Sequence, residues 1–313
     1  MEVFFTFIPK EHQQQQLIAE FPDVEFYFEY KGKSRLPTAD IVVTFGEDLS
    51  DEDIQQAKKL KWIMVASAGV EKMPHAAILE KGIVVSNVRG IHKTPMTESV
   101  LAHLLALKRS LPFIYEQQRK EEWSRKSGST ELSGSTALII GPGAIGAEIG
   151  RLLQAFGVHT IGCNRSGKSA DTMEEMVAFG QLIDVLPKVD VVISVLPSTK
   201  ETKHMLTAEH FQAMKNEAIF MNFGRGDLVE EKVLIEALEK EEIAYAVLDV
   251  FEQEPLPKGH PFWSMPNVVV SPHVSSHSEK YVERALEVFV ANLKKWLAED
   301  PHPSNLVNME RGY

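Results

Sequence analysis

The segment Thr136-Ala-Leu-Ile-Ile140-Gly141-Pro-Gly143-Ala144-Ile145-Gly146 constrains this chain more than any other. An apolar run of strand type ends in three glycines at G-x-G-x-x-G spacing, and a helical pattern then continues through Leu152, Leu153 and Phe156. A strand that passes through such a turn into a helix needs parallel neighbours and covered faces, so the segment predicts a doubly wound α/β domain. Each glycine has its own reason. Gly141 permits the tight turn, Gly143 lets the backbone approach a pyrophosphate, and Gly146 lets the helix pack close to the strand. The helix start at Ala144 and Ile145 then turns backbone N–H groups toward the anion.

Short apolar runs alternate with amphipathic stretches along the rest of the chain, the pattern of parallel α/β folds. Strands are expected at Val3–Ile8, Val24–Phe28, Ile41–Phe45, Trp62–Ala66 and Ile83–Asn87, with helices at Glu11–Glu20 and Ser50–Lys58. A helix from Thr97 to about Gln118, kinked or restarted at Pro112, leads to a second series. Its strands are expected at Thr136–Ile140, Val158–Cys163, Val189–Val195, Ala218–Phe223, Ala244–Val250 and Val268–Ser271. After Ser278, Val282, Ala285, Phe289, Leu293 and Trp296 recur at helical spacing.

At about 150 residues per domain, 313 residues suggest two. The net charge of −11 argues against nucleic acid and anionic membrane as partners. The single cysteine, Cys163, offers no disulfide and no metal cluster, so no metal is expected and a reducing, cytoplasmic setting fits. The start MEVFFTFIPK lacks a basic leader and meets Pro9 early, so it is expected as a first buried strand and not a signal peptide.

The strand end after Cys163 bears on which dinucleotide binds. An acidic residue about 20 positions past the first glycine would hydrogen-bond an NAD ribose, and a cation there would suit a 2′-phosphate. Here the stretch is Asn164-Arg165-Ser166-Gly167-Lys168, with no carboxylate before Asp171. NADP(H) is therefore the expected cofactor, held by Asn164, Arg165, Ser166 and Lys168, with NAD(H) as the alternative.

Three further segments follow apolar strands: Asn222-Phe223-Gly224-Arg225-Gly226, Asp249-Val-Phe-Glu252-Gln-Glu254-Pro255 and Ser271-Pro272-His273-Val-Ser275. Ligands of open α/β sheets bind at the carboxyl ends of strands, so an arginine, a carboxylate and a histidine can meet there. With Leu196-Pro197 and Thr202, this ordered set resembles the D-isomer-specific 2-hydroxyacid dehydrogenase family over nearly the whole length. The spacings fit it: 29 residues from Arg225 to Glu254 and 19 from Glu254 to His273. The likeness is greatest to NADPH-dependent glyoxylate/hydroxypyruvate reductases.

The resemblance implies two doubly wound parallel-sheet domains, a Rossmann dinucleotide-binding domain (98–279) inserted into a flavodoxin-like substrate domain (1–97 and 280–313). It implies hydride transfer between NADP(H) and a small 2-oxo or D-2-hydroxy acid. Arg225 would bind and polarise the substrate, a task for a planar forked cation. His273 would act as acid/base, and Glu254 would hold its imidazole. Ala68 and Gly69 would offer backbone N–H groups to the substrate carboxylate. Leu196, Pro197, Thr202, Phe223, Gly224, Asp249 and Ser275 would line the cofactor site, although a buried aspartate after a strand can equally cap a turn. Arg89 and His92 are expected on a surface loop. A homodimer built around Thr97 to Trp123 is implied. The resemblance extends to dinucleotide-sensing corepressors, against which the short termini argue, and to formate or phosphite enzymes. Formate enzymes usually carry glutamine where Glu254 stands.

Overall fold

The computed structural model describes all residues except Ala68, Glu71, Ser169, Asp171, Pro301, His302 and 310–313. The chain divides into two compact units, 1–91 with 278–313, and 92–277.

The first unit holds β1 (Glu2–Phe5), α1 (Glu11–Glu20), β2 (Glu25–Phe28), β3 (Ile41–Thr44), α2 (Asp51–Gln56), β4 (Trp62–Val65), α3 (His75–Lys81) and β5 (Val84–Asn87). Its sheet is parallel, in the order β2-β1-β3-β4-β5, which is the flavodoxin-like order. Alternate residues feed opposite cores: Phe4 joins the cluster with Val42 and Ile63, while Val3 and Phe5 join that with Ile41 and Met64.

The second unit opens with α4 (Lys93–Lys108) and α5 (Leu111–Arg119). It continues through β6 (Thr136–Ile140), α6 (Ala144–Ala155), β7 (His159–Asn164), β8 (Glu175–Ala178), α7 (Leu182–Val185), β9 (Val191–Ser194), α8 (Ala208–Ala213), β10 (Ile219–Asn222), α9 (Glu231–Glu239), β11 (Tyr245–Leu248) and β12 (Val268–Val270). These strands form a seven-stranded sheet, β12-β11-β10-β9-β6-β7-β8, with every pairing parallel. Counted within the unit, six of them follow the Rossmann order 3-2-1-4-5-6. Leu138 and Ile140 pack on one face, Ala137 and Ile139 on the other.

The last helix, α10 (Tyr281–Leu297), belongs to the first unit. Phe289 lies 5.8 Å from the Trp62 ring, and Trp296 stacks on the same indole at 5.4 Å. The stretch beyond it returns to the first sheet, where Leu306 bridges Ser86 and Met309 is buried.

Some sequence expectations need correction. The long helix starts at Lys93, not Thr97: Pro95 is tolerated in a first turn, and Thr97 is fully buried in the helix. Met96, Val100 and Leu104 pack in one core with Ile149 and Leu153 of α6. The edge strand β8, of sequence Glu-Met-Val-Ala, is four residues long and only partly buried, and it was not expected. His92 is buried, contrary to a surface placement, whereas Arg89 is exposed. Among the described residues, no helix is long and apolar enough to cross a membrane.

Candidate active site

Connections run from β6 to β7 on one side and return to β9 on the other, so the sheet has its topological switch point between β6 and β9. Their carboxyl ends lie side by side, with Ile140 opposite Ser194. A groove opens there, lined by Gly141, Pro142, Gly143, Asn164, Val195 and Pro197.

The glycines shape it. Gly141 sits at φ +96°, and a Cβ on Gly146 would lie 2.4 Å from the Gly141 carbonyl oxygen, so only glycine lets α6 start this close to the turn. A Cβ on Gly143 would meet nothing within 4 Å, which marks the open side. No side chain caps α6, whose first residues are Ala144 and Ile145. An uncapped N-terminus of a twelve-residue helix facing an open groove suits a dinucleotide pyrophosphate.

The opposite wall is equally defined. Leu196 is buried, Thr202 Oγ1 donates to the Pro197 carbonyl at 2.7 Å, and the Thr199 N–H donates to Thr202 Oγ1 at 2.8 Å. A Cβ on Gly224 would lie 2.5 Å from the Leu196 carbonyl oxygen, so the turn after β10 runs directly against this loop. Phe223, at its start, is buried and donates its N–H to the Ser194 carbonyl at 2.9 Å.

Past β7, Asn164 organises the turn. Its Oδ1 accepts the Ser166 N–H at 3.0 Å, and its Nδ2 donates to the Lys168 carbonyl at 2.9 Å. Arg165 does not stand alone: Nη1 lies 3.3 and 3.2 Å from the two carboxylate oxygens of Glu201. Asp171 lies outside the described residues.

On the other half of the sheet, buried Asn222 braces the turn that carries Arg225. Its Oδ1 accepts the Gly224 N–H at 3.1 Å, and its Nδ2 donates to the Arg225 carbonyl at 2.9 Å. Gly226 packs against the next loop so tightly that a Cβ would fall 1.9 Å from the Phe251 carbonyl carbon. That loop presents Glu254, whose peptide bond to Pro255 is cis. One Glu254 oxygen accepts the Phe251 N–H at 3.1 Å, and the other lies 2.7 Å from His273 Nδ1. Glu252, two residues earlier, instead exchanges backbone bonds with Glu231 of α9: each carboxylate accepts the other's N–H, at 3.4 and 3.1 Å.

His273 has φ +54°, in the left-handed region. Asp249 holds the turn that imposes this. Fully buried, its carboxylate accepts from Ser271 Oγ at 2.5 Å, from the Val274 N–H at 3.1 Å and from the Ser275 N–H at 3.3 Å, and also from the Ser275 hydroxyl. Asp249 and Ser275 therefore brace the histidine turn. His103 of α4 was missed by sequence because it sits in an apolar helix pattern. Burial pushes its imidazole below the usual range, with the Asp249 carboxylate opposing, and its ring lies 6.2 Å from Phe223. In the first unit Gly69 follows β4, with the Ser67 hydroxyl donating to its carbonyl at 2.9 Å. Ala68 lies outside the described residues.

Residues 101–275 match the NAD-binding domain of D-isomer specific 2-hydroxyacid dehydrogenases. The chain belongs to the D-isomer specific 2-hydroxyacid dehydrogenase family. It is 32% identical to a glyoxylate reductase of Aeropyrum pernix, over 94% of this chain and 92% of that protein. It is 33% identical to a D-3-phosphoglycerate dehydrogenase of Methanocaldococcus jannaschii, over 88% of this chain but only 53% of the length of that protein. A crystal structure of a family member from Aeromonas salmonicida superposes with TM-score 0.86 at 31% identity, covering 98% of this chain and 99% of the other. This 2-hydroxyacid dehydrogenase is thus an NAD(P)-dependent oxidoreductase with a nicotinamide dinucleotide as cofactor and a small molecule as substrate.

Proposed function

We propose that this dehydrogenase reduces a small 2-oxo acid of the glyoxylate or hydroxypyruvate type to the D-2-hydroxy acid, and catalyses the reverse, with NADP(H) preferred. The observation that carries the proposal is the His273–Glu254 contact at 2.7 Å, at the strand ends of the sheet whose β10 also leads into Arg225.

The dinucleotide, when bound, supplies the hydride for C2. Residues of the chain do the rest. An ionised Glu254 carboxylate can only accept, so His273 Nδ1 carries a hydrogen and Nε2 is the atom that exchanges a proton with the substrate oxygen. In reduction Nε2–H gives its proton to the carbonyl oxygen, and Glu254 then continues to orient the imidazole. The Arg225 guanidinium binds the substrate carboxylate and draws charge from the 2-oxo group.

The deciding measurement is oxidation of NADPH and NADH against a panel of 2-oxo acids. Glyoxylate or hydroxypyruvate with NADPH should give the highest kcat/KM. Arg165→Asp should lower the NADPH-to-NADH ratio by about ten- to a hundredfold, the worth of a charge-assisted bond to a phosphate. A wild type that prefers NADH would refute the cofactor preference.

The working state we infer is a homodimer in the cytoplasm. No residue of α5 is buried, Ile114 and Tyr115 are exposed, and Trp123 beyond it is 92% exposed. A row of large apolar groups of this kind suits an interface. Cys163 is a buried free thiol, in keeping with a reducing compartment. Light scattering after gel filtration should return twice the chain mass of 35.1 kDa, and the double variant Tyr115→Ala/Trp123→Ala should shift the protein toward monomer. A wild-type monomer at micromolar concentration would sink the inference.

A further inference from the structure

We propose that Glu201 is a specificity-determining residue that sets the balance between NADPH and NADH by competing with the 2′-phosphate for Arg165. This rests on the dinucleotide placement and the role given to Arg165 above.

Both side chains are delivered to the rim of the same groove. Asn164 and Pro197 line it, Arg165 follows the first directly, and Glu201 stands four residues past the second. Each comes on a turn held by its own bonds. Asn164 fixes the first turn through Ser166 and Lys168, and the Glu201 N–H donates to Thr199 Oγ1 at 3.3 Å within the second. The backbones are thereby set, while the side chains, 71% and 57% exposed, are able to re-pair.

The strand end after β7 lacks the carboxylate that would accept a ribose 2′-hydroxyl, and Glu201 brings one from the other side of the switch point. With Arg165 on Glu201, the rim offers a carboxylate to an adenine ribose bearing a free 2′-hydroxyl. With Arg165 turned to a 2′-phosphate, it offers forked donors to a dianion. The two states compete, because Arg165 Nη1 serves both Glu201 oxygens and a phosphate brought to the same guanidinium meets the Glu201 carboxylate as a second anion. The freed carboxylate then repels the phosphate. Glu201 therefore weakens NADPH and favours NADH.

The test is a titration of the full chain with NADPH and with NADH, following nicotinamide fluorescence, so that catalysis is not needed. Variants are Glu201→Gln, Arg165→Ala and the double variant. Glu201→Gln removes the charge and keeps the shape. It should tighten NADPH by about two- to fivefold, the range of exposed ion pairs, and leave NADH unchanged or slightly weaker. In the Arg165→Ala background most of that gain should vanish, since coupled residues are non-additive. The proposal is overturned if Glu201→Gln changes both affinities equally or neither, or if the gain persists in full without Arg165. A wild type that binds NADH more tightly overturns the NADP(H) preference instead, because the change of ratio in Glu201→Gln is read independently of the starting ratio.

Discussion

His273→Asn should reduce turnover of the best 2-oxo acid by about 10² to 10⁴ while leaving NADPH affinity within about twofold of wild type. The residue chosen matters. The turn sets φ at +54°, a region that asparagine visits readily and that most other side chains avoid. Asparagine thus removes the exchangeable Nε2 proton without adding backbone strain. Glu254→Gln should fall between the variant and wild type: an amide still accepts the Phe251 N–H but gives no ionic support to a protonated imidazole. The measurement is steady-state reduction with saturating NADPH beside a fluorescence titration of the dinucleotide. Retained turnover in His273→Asn would remove the histidine from the chemistry.

Asp249→Ala should damage both stability and activity. Among the described residues no salt bridge reaches the carboxylate, and four hydrogen-bond donors from residues 271–275 satisfy it instead. Alanine leaves the buried Ser271 and Ser275 groups without that acceptor, at about 1–3 kcal/mol for each unmet group. A loss of about 3–5 kcal/mol follows, large for a single change. Calorimetry should record a melting temperature lower by about 10 °C for a unit of this size. Because His273 sits within the released turn, kcat should fall by at least about tenfold even in molecules that remain folded. Asp249→Asn retains one acceptor oxygen and should lie between. An unchanged melting temperature would show that the turn stands without its aspartate.

The inner strands were legible because β3, β4, β9 and β10 are buried along their length and appear as largely apolar runs, and the glycine turn because steric demand leaves no other residue at Gly141 or Gly146. The pairing of Glu254 with His273 lies in two strand-end segments visible in sequence, and the structure brings the two side chains into contact. Less was visible where the determinant lies elsewhere in the chain. Nothing near Arg165 announces Glu201, since the contact forms only once β9 returns beside β6. Edge strand β8 has half-exposed, mixed residues that carry no strand pattern. Asp249 appeared with two meanings, ligand contact and turn cap, and only the positions of Ser271, Val274 and Ser275 display the second.

Gly226 has a consequence for how this pocket can diversify. With Phe251 backbone occupying the space of a Cβ, the loop that carries Arg225 and the loop that carries Glu254 lie against each other with no side chain between them. An insertion, a deletion or a bulkier residue in one must be answered in the other. New substrate preferences are therefore open through exchange of pocket side chains on fixed loops, and closed to the grafting of either loop alone from a relative with a different partner loop. Libraries aimed at altered specificity should transplant residues 223–231 and 249–255 together.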